Sequence, residues 1–168
     1  PKPLLKVKGK PLIDYHIEKL ISAGFKTTAI NTHYLGNQIS DHVINIFGQD
    51  VEIIISNENE LLGTGGGIKK AISSFEDEEV VIINSDIYSD LDYRHFSNFS
   101  PNTLFVVPTK QPDSGDFSVK ENLVSLEGEK NYTWTGFSII TKETLNQNEA
   151  SSFHYWHDCL KILANNKK

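Results

Sequence analysis

The sequence predicts an α/β protein, a three-layer, mostly parallel Rossmann-like sheet with antiparallel strands added in its C-terminal third. Three observations carry that prediction. Strand-like and helix-like apolar patterns alternate through the first 108 residues, as parallel strands joined by right-handed crossovers require. The run VVIINSD (80–86) is apolar without alternation, as in a strand covered on both faces. Beyond Pro108 the helical spacing gives way to short strand-like segments divided by turns.

The elements follow in order. PKPLLKVKGK opens the chain as a charged loop. In PLIDYHIEKLISA (11–23), Leu12, Ile13, His16, Ile17, Leu20 and Ile21 share one helical face. Pro11 suits the first turn of that helix, and Gly24 suits its stop. TTAINTHY (27–34) reads as a strand, NQISDHVINIF as a helix closed by Gly48, VEIIIS (51–56) as a strand and GIKKAISSF (67–75) as a helix. A strand over 80–86, a short helix from Asp92 to Phe99 and a strand over 103–108 come next. DFSVK, NLVSLE and YTWTGFSII are the added strands, and SSFHYWHDCLKILANN is a closing helix.

Composition narrows the function. With 38% hydrophobic and 23% charged residues, the 168-residue chain reads as one globular domain. A net charge of −6 argues against a broad nucleic-acid or anionic-membrane surface, yet leaves room for a small phosphate site. Cys159 is the single cysteine, so no internal disulfide is possible and a reducing cytoplasm is the expected compartment. No apolar run reaches membrane-spanning length. Oligomeric state is not written in the sequence.

In a parallel α/β sheet, ligands sit beyond the carboxyl ends of the strands, which draws attention to two stretches. In ELLGTGGGIKKA (60–71), four glycines permit close backbone approach, and a helix opening at their end would aim free amides at an anion. The alternative is a glycine-rich helix entry with no ligand. Ile68 breaks both the G-x-x-x-x-G-K-[ST] phosphate loop and the G-x-G-x-x-G dinucleotide fingerprint. A dinucleotide-dependent oxidoreductase keeps one point in its favour, because Asp86 stands about 20 residues on, where such folds hold a ribose. In NSDIYSD (84–90), Asp86 is a carboxylate at a strand end, suited to a hard ion such as Mg²⁺, or else a turn cap. Asp90 and Asp92 read as caps.

PKPL, LGTGGG, the NSD strand end, Gly115-Asp116-Phe117 and TGF (135–137), in that order, resemble the sugar-1-phosphate nucleotidyltransferases. Within them, the resemblance points to N-acetylmuramate-1-phosphate uridylyltransferases. It implies attack of a sugar-1-phosphate oxygen on the α-phosphorus of a nucleoside triphosphate, with UTP and N-acetylmuramate 1-phosphate as leading substrates, Mg²⁺ as cofactor and pyrophosphate as product. It also implies roles. Lys2 steadies the phosphates, and Gly63, Thr64, Gly65 and Gly66 lie along the nucleotide. Asp86 is the first metal ligand, while Asp116, Thr135 and Gly136 face the sugar.

The departures are specific. The family's first strand with its G-x-G-x-R type loop, and its C-terminal W-x-D-x-G-T segment with a second metal carboxylate, have no counterpart here. A domain shortened at both ends is the expectation, and a non-catalytic nucleotide- or sugar-binding module, or an inactive fragment, is the alternative function. NSD replaces N-G-D, and Glu58 stands where relatives carry a base-reading amide.

Other polar groups have plainer readings. His16 and His33 are expected to be packed or hydrogen-bonded, Cys159 buried, and His154 with His157 structural. Lys69 and Lys70 form a solvated helix face or touch a phosphate. Trp134 stacks on a ligand or packs in the core.

Overall fold

The computed structural model describes residues 1–111 and 113–165. The opening segment is ordered: a 3-10 turn over Lys2–Leu4 leads into a small hairpin of β1 (Lys6–Val7) and β2 (Lys10–Pro11). Its two-residue loop, Lys8-Gly9, has φ of 51° and 85° at the two positions, the backbone that a tight right-twisted hairpin needs.

Helix α1 (Leu12–Ser22) follows, then β3 (Thr27–Thr32), α2 (Gly36–Phe47), β4 (Glu52–Asn57), α3 (Gly63–Ala71) and β5 (Glu79–Ile83). The stop at Gly24 is as expected. Its φ is +89°, and the Phe25 and Gly24 amides donate to the Leu20 and Ile21 carbonyls in a Schellman pair. A 3-10 segment (Tyr93–Asn98) is capped by Asp92, whose carboxylate accepts from the Arg94 amide. The remainder is β6 (Thr103–Pro108), a hairpin of β7 (Ser118–Lys120) and β8 (Leu123–Ser125), β9 (Tyr132–Thr141) and α4 (Lys142–Asn146). One π-helical turn (Trp156–Leu160) then runs into α5 (Lys161–Asn165).

β3 and β4 pair in parallel, and β9 lies between β5 and β6, antiparallel to both. β5 and β6 therefore run the same way, and β9 is the antiparallel addition. Three layers are evident from packing. Val81 and Ile83 face a cluster with Leu20, Tyr93, Phe96 and Phe137, whereas Val80 and Ile82 face Ile72, Leu145, Phe153 and Leu160. The two-faced burial expected of the 80–86 run is met over Val80–Ile83, whereas Asn84 and Asp86 are exposed. α1 and α2 cover β3 and β4 through Ile13, Ile17, Ile39, Val43 and Phe47.

Three boundaries near the site differ from expectation. β5 ends at Ile83, so Asp86 lies in the turn beyond it. α3 starts at Gly63 rather than Gly67. The closing helix starts at Trp156, because residues 151–154 form bends and coil that are held against the start of α3 through Phe153. Among the described residues, no helix is long and apolar enough to cross a membrane.

Candidate active site

Asp86 lies in the loop between β5 and the 3-10 segment, and that loop is held from three sides. From α1, His16 Nε2 donates to the Ile87 carbonyl at 2.7 Å, and Lys19 Nζ donates to the Ser89 and Leu91 carbonyls at 2.6 and 2.9 Å. From β9, the Gly136 carbonyl accepts from the Asn84 amide at 3.0 Å. From the hairpin tip, Lys8 Nζ lies 5.9 Å from the centre of the Tyr88 ring. Gly136 is required here, because its φ is +83° and a Cβ would meet Ile87 Cδ1 at 2.4 Å.

Lys2 Nζ stands 4.0 Å from Asp86 Oδ2, with the two side chains 80% and 46% exposed. A pair so open and so loosely matched adds little to stability. Both groups keep free coordination capacity, the carboxylate for a hard cation and the ammonium for phosphate oxygens.

His16 is buried. Its Nδ1 accepts from the Tyr93 hydroxyl at 2.5 Å while Nε2 donates to Ile87, which fixes a neutral tautomer. Burial is the main cause that lowers its pKa, and it likewise raises that of Tyr93. The ring is therefore a brace and not a proton carrier. Its placement on an apolar face already suggested a hydrogen-bonded histidine; nothing in the sequence marked Lys19 as its companion.

The glycine run sits at the carboxyl end of β4 but is already engaged. The Phe153 carbonyl accepts from the Gly65 and Gly66 amides at 2.9 and 3.4 Å, and the Thr64 hydroxyl accepts from the Tyr155 amide at 3.0 Å. A Cβ at Gly65 would stand 2.2 Å from the Phe153 ring, and one at Gly66 would stand 2.3 Å from the Ser151 carbonyl oxygen. At Gly67 it would meet Glu58 Oε1 at 2.3 Å. Glu58 is buried, and its carboxylate accepts from Asn31 Nδ2 and the Leu62 amide at 3.0 and 3.1 Å. The side chains of Tyr34 and Leu61, on the neighbouring loops, are 77% and 72% exposed.

The Thr135 hydroxyl donates to the Phe105 carbonyl at 2.6 Å, and Asp116 accepts from the Thr133 hydroxyl. Since Asn84 bonds to Gly136, the start of β9 overhangs the end of β5. Thr133 therefore lies about 10 Å further out along the strand.

The remaining groups follow the plainer readings in most cases. Lys69 and Lys70 bind the Asn148 and Asn57 carbonyls at 2.8 and 2.5 Å. Trp134 packs in the core against Tyr155 and Trp156. Cys159 is buried, and burial raises its thiol pKa. His33 is exposed, yet it donates to the Glu58 carbonyl. His154 and His157 are exposed instead of packed, with ring centres 6.0 Å apart.

Among the described residues, no group of three or more His, Cys, Asp or Glu side chains could hold a metal ion. The donor set at Asp86 is one carboxylate. That fits a Mg²⁺ sharing its ligands with phosphate oxygens and water, and does not fit an ion held by protein alone.

The sequence pattern of the nucleotidyl transferase family matches residues 1–117. The chain belongs to that family. It is 33% identical over 169 residues to N-acetylmuramate alpha-1-phosphate uridylyltransferase of Neisseria meningitidis, covering 90% of this chain and 71% of that protein. It is also 33% identical over 138 residues to D-glycero-alpha-D-manno-heptose 1-phosphate guanylyltransferase of Aneurinibacillus thermoaerophilus, covering 79% of this chain and 60% of that one. Among solved structures, HddC from Yersinia pseudotuberculosis superposes with a TM-score of 0.75 at 24% identity, over 94% of this chain and 75% of that chain. The fold of this nucleotidyl transferase is thus the one expected from its motifs.

Proposed function

We propose that the chain carries the catalytic site of a sugar-1-phosphate nucleotidyltransferase that transfers UMP from UTP to N-acetylmuramate 1-phosphate. The observation that carries this reading is the open Lys2–Asp86 pair, on a loop braced from three sides at the carboxyl end of β5. The choice of base and sugar leans on the Neisseria relative, and the equal identity to a guanylyltransferase makes it the first point to test.

In the reaction, an oxygen of the sugar 1-phosphate attacks the α-phosphorus, a new P–O bond forms, the α–β bridging bond breaks and pyrophosphate leaves with its electron pair. The nucleophile is already ionised, since a phosphate monoester loses its second proton near pH 6, so no general base is needed. That suits a site whose nearest histidine is buried and engaged at both nitrogens. Mg²⁺, when bound with the triphosphate, neutralises charge on the phosphate oxygens. Asp86 would hold it, and Lys2 would add a second positive charge. Gly63, Thr64, Gly65 and Gly66 flank the nucleotide, and Thr135 and Gly136 of β9, with Asp116 bonded to Thr133 beside them, face the sugar.

Pyrophosphate release with UTP, CTP and GTP against a panel of sugar 1-phosphates tests this. UTP with N-acetylmuramate 1-phosphate is expected to be the fastest pair, and turnover unchanged in Asp86→Ala would refute the metal role. A second reading, a nucleotide-binding module without turnover, is favoured by the single carboxylate. Calorimetry that finds UTP binding without product would select it.

A further inference from the structure

Of the four lysines around the Asp86 loop, three are committed. Lys2 stands at Asp86 itself. Lys19 donates to the Ser89 and Leu91 carbonyls, and Lys10 is ion-paired with Glu18, 4.2 Å from the centre of the Tyr15 ring. Lys8 makes no hydrogen bond or ion pair among the described residues. Its contact is the half-exposed Tyr88 ring.

The base that carries Lys8 is firm. The Tyr15 hydroxyl donates to the Val7 carbonyl at 2.7 Å, and the Tyr15 ring meets the Tyr88 ring edge-on with 5.2 Å between centres. Hairpin, α1 and Asp86 loop are thus locked together, and the tight Lys8-Gly9 turn fixes where the lysine stem leaves the backbone. The ammonium itself stays exposed and free to take an anion.

This cation lies on the sugar side of the loop. A Cβ on Gly136 would meet Ile87 Cδ1 at 2.4 Å, so β9 abuts the residue between Asp86 and Tyr88. Phosphates held at Lys2 and Asp86 and a sugar held at Thr135 and Gly136 therefore share one wall, and the next residue along it presents Tyr88 with Lys8. Charge around that space is uneven. Asp116, bonded to Thr133, is an exposed carboxylate that repels an acidic group, whereas Lys8 attracts one.

We propose that Lys8 determines specificity by reading a carboxylate on the sugar, so that the site prefers an acidic sugar 1-phosphate to a neutral one. The inference rests on the substrate reading above. N-acetylmuramate differs from N-acetylglucosamine by a lactyl ether, whose carboxylate is ionised at neutral pH. A compact ammonium suits a carboxylate on a rotatable arm, which has no fixed orientation for a guanidinium fork to match.

The test compares N-acetylmuramate 1-phosphate, its lactyl methyl ester and N-acetylglucosamine 1-phosphate. The ester removes the charge and keeps the bulk. For the wild type, Lys8→Ala, Lys8→Arg and Lys8→Glu, kcat/KM with UTP and calorimetric Kd are measured at about 50 and about 300 mM salt. An exposed ion pair is worth up to about fivefold, so the wild type should prefer acid to ester by about that factor at low salt. The preference should shrink at high salt, vanish in Lys8→Ala, persist in Lys8→Arg and reverse in Lys8→Glu. An undiminished acid preference in Lys8→Ala overturns the role of Lys8 and leaves the substrate reading standing. So does a wild type that takes acid and ester equally well, both ahead of N-acetylglucosamine 1-phosphate. A wild type that favours N-acetylglucosamine 1-phosphate, or that neither binds nor turns over any of the three, overturns both.

Discussion

His16 holds the Asp86 loop with both ring nitrogens, and it does so as a neutral ring. Its pKa is lowered by folding, so between the unfolded value near 6.5 and the lower folded value the unfolded chain binds more protons. Stability from this group is complete above about pH 6.5 and declines as pH falls through the folded pKa. The urea midpoint of the wild type is therefore expected to drop from pH 7 to pH 5 more steeply than that of His16→Gln. At pH 7.5, His16→Ala should cost about 1–3 kcal/mol, because the Tyr93 hydroxyl and Ile87 carbonyl lose their partner. Asp86 is the opposite kind of residue. Half exposed and loosely paired, it contributes little to folding. Asp86→Asn should leave the melting temperature unchanged while lowering nucleotidyl transfer at least about a hundredfold, or about 2.7 kcal/mol of transition-state stabilisation.

Among the elements, α1 was legible because its apolar spacing, Pro11 and Gly24 are all local signals. α3 was misread for the converse reason. The residues that require Gly65 and Gly66 to lack side chains are Phe153 and Ser151, more than eighty positions away, and no local rule registers them. The glycines permit a helix to start against Ser151 and Phe153, which moves the start of α3 four residues ahead of the expected one. Gly65→Ala is accordingly expected to destabilise by about 1–3 kcal/mol, measured by chemical unfolding, since the buried Phe153 ring must move. β9 was visible as a strand, but its place between β5 and β6 was not. Its pairing is decided by which long-range partners remain once the crossovers are made.

For the molecule as a whole, the charge total conceals an asymmetry. The chain carries −6 overall, yet Lys2, Lys6, Lys8 and Lys10 fall within its first ten residues, on and before the hairpin whose tip reaches the Asp86 loop. Triphosphate affinity should weaken as salt rises from about 50 to about 300 mM, and a Lys2→Ala, Lys8→Ala double variant should show a shallower salt slope in calorimetry. The fold class was readable from alternation and the double-faced VVII run. The order of the strands was not, because pairing between distant segments leaves no mark on local pattern.

The bond from the Gly65 amide to the Phe153 carbonyl also sets an order of events. A ribosome releases the glycine run long before it makes residue 153, so α3 stays without its cap until residue 153 has emerged. The candidate nucleotide-binding end of the sheet therefore settles later in synthesis than the β3–β4 pair, whose residues all precede it. A chain halted before Ser151 should contain β3, β4 and β5 and still leave the start of α3 open to protease.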